Sequence, residues 1–190
     1  MDNKENTILI DLHDRVTEAY YGKLGDKLMS QTQKRIHWIC KNVKGEKILD
    51  VGCSQGILPL LLGREGKEVT GLDMSQTAID YACEVLSNEA QNVKDYVAFL
   101  CANFMQQDFG DDKFDTIVIA EVLEHLVNPV EFIKKSSSLL KKGGSLIITV
   151  PFGINDFIDH KHTYYFTDMY EMLNGHFNLD NTVILGKWIG

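Results

Sequence analysis

The stretch KILDVGCSQG, residues 47 to 56, decides how the rest of the chain is read. A short apolar run ends near an acid, Asp50, and passes at once into a turn with glycines at positions 52 and 56. A strand that leads through such a turn into a helix gathers backbone N–H groups and the positive helix end at one spot, an arrangement that nucleotides use. The dinucleotide fingerprint is G-x-G-x-x-G. Here the turn reads Gly52-Cys53-Ser54-Gln55-Gly56, or G-x-S-x-G. Asp50 argues the same way, because a carboxylate ~5 Å from a pyrophosphate in a partly buried setting repels it by on the order of 3 kcal/mol. The ligand this stretch points to is a nucleoside without phosphate, carrying positive charge.

Outward from the turn, the periodicity alternates. β-rich runs at 45–52, 67–73, 96–103, 113–121 and 144–151 each end in Gly, Asn, an acid or Pro and predict five strands. Helical patterns fall between them at 56–64, 75–91 and 129–142, the last with Pro129 near its start and Gly143-Gly144 just past its end. This alternation predicts an α/β, doubly wound, Rossmann-like and mostly parallel sheet with helices on both faces and the ligand at the carboxyl ends of the strands. An amphipathic stretch over 11–42, with Ile36, Ile39 and Val43 at helical spacing, predicts a helical extension that packs on the sheet. The division expected is a cap at 1–44 and one compact domain at 45–190. A short helix near 167–174 and a strand near 176–185 are expected to follow, and the chain stops as a further strand, GKWIG, would begin. That ending reads as part of a longer polypeptide.

Composition narrows the function classes. With 190 residues and 44% hydrophobic content, the chain can bury one good core. A formal charge of −8 disfavours a broad nucleic-acid face, which needs clustered Lys and Arg. The longest apolar runs are strand-length, so no membrane span is expected, and no segment resembles a signal peptide. Four dispersed cysteines, Cys40, Cys53, Cys83 and Cys101, fit neither a zinc site nor a disulfide scaffold. The expectation is a soluble cytoplasmic protein.

S-adenosylmethionine (SAM) satisfies the opening stretch, since it joins an α-ammonium and a sulfonium to a nucleoside. Asp73 lies 21 positions after Gly52, where a strand-end acid meets a ribose. Met74 offers an apolar face to adenine, Asn103 an amide to its edge, and Phe104 a flanking ring. Residues 48–151 resemble the class I SAM-dependent methyltransferases: ILDVGCSQG is similar to their first motif, Asp73 to their ribose acid, KFDTIVIAEVLEHL to their fourth-strand motif and LKKGGSLIITVP to their fifth. The chain departs from that pattern at Ser54, where a middle glycine is common, and at Ala102-Asn103, where Gly-Asp often stands. The resemblance implies a cofactor set of Arg35, Asp50, Gly52, Cys53, Ser54, Gly56, Asp73, Met74, Asn103, Phe104 and Glu121. Arg35 enters through RIHWI, similar to a ubiquinone-pathway O-methyltransferase segment in which an arginine holds the SAM carboxylate. Tyr20 and Tyr21 are candidates for the entrance.

Methyl transfer from a sulfonium is an in-line displacement that gains most from positioning, but a hydroxyl acceptor must also lose its proton. EVLEHL puts Glu121, Glu124 and His125 after the fourth strand. If that segment is helical, Glu121 shares a face with the other two. NDFIDHKHTYYFT adds Asp156, Asp159, His160 and His162 after the fifth. Glu121, His125 and His160 are the catalytic candidates. Glu121, Glu124, His125 and His160 are the candidate ligands for Mg or Mn, a pattern similar to the ubiquinone-pathway enzymes and to small-RNA 2′-O-methyltransferases. Residues 152–166 read as a substrate lid. The expected activity is methylation of a hydroxyl on a small molecule or sugar. A metal-assisted RNA 2′-O-methyltransferase and a non-catalytic SAM-binding domain are the alternatives.

Overall fold

The computed structural model describes residues 15–153 and 160–185. Two helices come first, α1 (Val16–Tyr20) and α2 (Asp26–Asn42). Then follow β1 (Lys47–Val51), α3 (Ile57–Arg64), β2 (Glu68–Asp73), α4 (Gln76–Ser87), α5 (Gln91–Lys94), β3 (Val97–Cys101) and β4 (Phe114–Ala120). A 3₁₀ turn at Leu123–His125 leads to α6 (Pro129–Leu139), β5 (Leu140–Thr149) and α7 (Phe166–Leu173). The five strands form one parallel sheet in the order β3-β2-β1-β4-β5. The order reverses between β1 and β4, so the crevice of a doubly wound sheet opens at the carboxyl ends of those two strands.

Alternation along each strand fills both faces. Ile48, Val69, Val118 and Ile147 pack with Ile36 and Ile39 of α2 and Ile57, Leu58 and Leu62 of α3. Their neighbours Leu49, Val51, Leu72, Ile117 and Ile119 form the opposite core with Phe114, Ile133 of α6 and Tyr164. Val43 packs against the first core, as its spacing predicts. β1 and β4, at the centre of the sheet, are buried nearly throughout, which explains why their runs read as almost continuously apolar.

Several boundaries move, each for a local reason. The stretch 11–42 is two helices, because Gly22 and Gly25 take positive φ and turn the chain between them. The helix expected at 75–91 ends at Ser87 and resumes as α5. The helix expected at 129–142 ends at Leu139, and β5 begins at Leu140 rather than 144; the β4–β5 register shifts between Phe114 and Thr116, accommodating the turn at Gly143. No strand forms over 176–185. Leu179, Val183, Ile184 and Leu185 are about half exposed there, and a β-prone run becomes a strand only where an edge supplies its ladder. GKWIG, Asp156 and Asp159 lie outside the described residues.

Candidate active site

The turn after β1 is tied back to β2. Gly52 N and Cys53 N both donate to Leu72 O, at 2.7 and 3.1 Å, and Gly56 N donates to Cys53 O at 2.9 Å. Ser54 N donates to Asp73 Oδ2 at 2.8 Å, while Ser75 N donates to Asp73 Oδ1 at 2.9 Å. Four amides of the turn are therefore satisfied inside the protein. A phosphate loop must aim such amides at its ligand, so this turn is no anion nest.

The glycines have steric reasons. A Cβ on Gly52, whose φ is +77°, would lie 2.3 Å from Val122 Cγ2. One on Gly56 would meet the Phe99 ring at 2.5 Å. The first contact also places the glycine turn directly against the turn after β4. Ser54 holds a φ of 47° without being glycine.

Asp50 carries a different charge from the one its position suggests. It is only 3% exposed. Burial first, and the nearby Asp73 charge second, push its carboxyl up to about 8. At neutral pH the ligand-free protein keeps this group mostly protonated. The charge argument built on Asp50 is thereby corrected, since burial holds its carboxyl neutral.

Asp73 stands fixed by its two backbone donors, and Met74 beside it is 70% exposed. Asn103 Oδ1 accepts from Met105 N at 2.9 Å. Nothing among the described residues accepts from its Nδ2, which is the group left for a base edge. Phe104 corrects another expectation. At 2% exposed it belongs to the core, tilted against Phe109 and Phe132 with Lys135 Nζ 5.2 Å above its ring, and offers no face to a ligand. Cys53 is buried as well, its N–H already used.

Glu121 does not continue a helix with Glu124 and His125. Its φ of +56° swings it aside; Oε1 accepts from Thr149 Oγ1 at 2.8 Å and Oε2 lies 3.3 Å from Arg35 Nη1. Arg35 Nε is buried with no partner among the described residues, an unused donor beside the crevice. Thr149 escaped sequence reading, since nothing local marks a hydroxyl whose partner is 28 positions away.

A second cluster lies just past Val122. Ligand atoms of Glu124, His125 and His160 fall within 4.8 Å of one another, and Glu124 is 1% exposed. The imidazoles of His125 and His160 meet edge to face at 4.9 Å. The strap 160–164 is held there by Lys161 N and His162 N donating to Glu124 O, and by Tyr164 Oη donating to Leu123 O at 3.2 Å. Burial foremost raises the Tyr164 phenol to about 12, so it remains a donor. His162 stacks on Tyr164, its Nε2 buried without a partner among the described residues. Glu121 lies outside this group, a correction to the four-residue ligand set. Tyr20 is a packing residue, its Oη 2.7 Å from His37 Nε2, while Tyr21 is exposed.

The sheet order, the occupied glycine turn and the strand-end acid together define a class I methyltransferase fold. The sequence profile described as a methyltransferase domain matches residues 49–148, and the chain belongs to that family. Among curated proteins it is similar to the ubiquinone biosynthesis O-methyltransferase of Coxiella burnetii, 36% identical over 107 residues that cover 56% of this chain and 44% of that one. The chain spans about half the length of the curated relatives it matches. Among solved structures it resembles the [4+2]-cyclase SpnF, with TM-score 0.66 and 22% identity over 76% of this chain and 56% of that one. It also resembles the glycopeptide N-methyltransferase MtfA solved with SAM, with TM-score 0.55 and 17% identity over 66% and 55% of the two chains. At these identities the structures establish fold alone.

Proposed function

We propose that this chain is a methyltransferase that takes its methyl group from SAM and delivers it to a hydroxyl of a small-molecule acceptor. The observation that carries this reading is the contact between Gly52 and Val122, which sets the nucleoside turn against the turn bearing Glu124 and His125. The residues fit the cofactor. Asp73 would take the ribose hydroxyls, Asn103 Nδ2 the base edge and Met74 one face of the base. Arg35 would meet the carboxylate with its unused Nε, and Glu121 lies beside it for the ammonium. When bound, SAM supplies a methyl group activated by a sulfonium. His125 and His160 then hold or take the acceptor's proton. In this reading α1 and α2 serve as a cap on the sheet domain, and the described strap 160–166 borders the acceptor. All four cysteines are free, which fits a reducing, cytoplasmic setting; no described helix is long and apolar enough to cross a membrane.

Asp73→Ala tests the cofactor half. Losing a carboxylate that serves both the turn amides and a ribose is expected to weaken SAM binding by about 1–3 kcal/mol, measured by calorimetry. Unchanged affinity removes Asp73 from the site.

One carboxylate and two imidazoles also suit a divalent cation. Of the two ions expected, Mn(II) accepts nitrogen donors more readily than Mg(II), which keeps to oxygen. The decisive assay is S-adenosylhomocysteine release over a panel of hydroxylated acceptors, after chelation and after adding back each ion. If the three side chains hold a cation, chelation abolishes release and Mn restores it better than Mg; if the imidazoles act as proton acceptors instead, release survives chelation. Full activity after chelation sinks the metal, and no release with any acceptor favours a non-catalytic SAM-binding domain. The net charge of −8 weighs against RNA as the acceptor, because phosphate contacts supply much of nucleic-acid affinity.

A further inference from the structure

The nucleoside turn is gripped from outside the sheet. Thr17 of α1 is 2% exposed, and its hydroxyl donates to Gln55 O at 2.8 Å across 38 positions of sequence. The Gln55 side chain, also buried, is clasped by the next residue. Glu18 N donates to Gln55 Oε1 at 3.3 Å, and Gln55 Nε2 donates to Glu18 Oε2 at 3.2 Å. Arg15 Nη2 donates to Glu18 Oε1 at 2.8 Å, and this hydrogen bond foremost holds the Glu18 carboxyl down at about 2, so the clasp stays ionised. Gln55 sits between Ser54 and Gly56, the two residues of the turn at φ 47° and 79°. Glycine reaches the left-handed region freely, whereas serine does so at a cost that its surroundings must offset. All three hydrogen bonds to Gln55 run to α1, away from Asp73.

We infer that Thr17 and Glu18 are positioning residues for the nucleoside turn, and that docking of α1 and binding of the nucleoside cofactor are coupled. The inference rests on the proposed function for the ligand's identity but not for the coupling of α1 to the turn. Where a middle glycine would let the turn hold its shape unaided, this chain has Ser54, and α1 supplies the restraint through Gln55. A ligand that needs the turn in this shape must favour docked α1. By reciprocity, docked α1 must favour the ligand to the same extent.

The test uses the full chain, with S-adenosylhomocysteine as probe, and three variants: Thr17→Val, which keeps the shape and loses the donor, Thr17→Ser, which keeps the donor, and Glu18→Ala. Calorimetry gives affinity and amide hydrogen exchange reports on residues 15–24 and 52–57. In ligand-free protein, Thr17→Val and Glu18→Ala are expected to speed exchange at the turn, while Thr17→Ser leaves it near wild type. With probe, Thr17→Val is expected to bind about 5- to 20-fold more weakly, the value of one buried hydrogen bond, and the serine variant within about twofold. The probe is also expected to slow exchange in 15–24 of wild type. Affinity within about twofold for both Thr17→Val and Glu18→Ala, with turn exchange unmoved, overturns the inference. If Thr17→Val does not fold, Glu18→Ala decides alone. A wild type that ignores the probe refutes the cofactor coupling and the cofactor assignment together, and the ligand-free exchange then decides whether α1 positions the turn.

Discussion

His125→Ala lowers turnover by about two to four orders of magnitude, the usual contribution of a positioned proton-transfer group, while SAM affinity stays within a few-fold of wild type. The asymmetry follows from where the side chain sits. The His125 ring packs on His160 and shares a group with Glu124, whereas the groups placed for the nucleoside belong to the turn after β1 and the ends of β2 and β3. His160→Ala has the same expected signature, because the strap that carries it is bonded to the 3₁₀ turn at Glu124 O. Single-turnover release of S-adenosylhomocysteine, set beside calorimetric SAM binding, separates the two quantities. If affinity collapses while turnover of bound SAM is unchanged, the histidine belongs to the cofactor pocket and the acceptor lies elsewhere.

Asp50→Asn stabilises the ligand-free protein at alkaline pH and does little at pH 4. The folded protein holds the Asp50 proton up to about 8, because burial and the Asp73 charge both penalise the carboxylate. The unfolded chain releases that proton near pH 4. Between these values the unfolded state binds fewer protons, so stability falls as pH rises across the window. Below it both states are protonated and the penalty is absent. Above pH 8 the wild type carries a buried charge that asparagine cannot acquire. The difference is on the order of 5 kcal/mol at pH 9, or roughly 10 °C or more in Tm for a chain of this size. Thermal unfolding from pH 4 to 9 checks it, and parallel profiles for the two proteins would mean that Asp50 is ionised in the fold.

These expectations separate what one-dimensional pattern can carry from what it cannot. The alternation of apolar runs with helical spacing was enough for a doubly wound sheet, because central strands such as β1 and β4, buried on both faces, must be apolar throughout and the helices over them apolar along one stripe. The position of Asp73 at the end of β2, beside the glycine turn, was legible for a similar reason: its distance from Gly52 reflects one βαβ unit of ordinary length. Phe104 was not legible. A phenylalanine after a strand can face ligand or core, and only the packing of Phe109, Phe132 and Lys135 around it decides for the core. The run over 176–185 has strand propensity, but propensity acts only where a neighbouring edge offers hydrogen bonds.

By itself, then, the sequence determined the parallel α/β class, the glycine turn and the place of Asp73 at the end of β2, since each follows from spacing within one or two consecutive elements. Tertiary structure alone decided the charge on Asp50 and the departure of Glu121 to Thr149 and Arg35, and it set the distances within the expected group of Glu124, His125 and His160. It also decided the grip of Thr17 on Gln55. The physical reason is common to all four. Desolvation, ion pairing and buried hydrogen bonds depend on distance in space between groups tens of residues apart, and no local pattern along the chain encodes that distance.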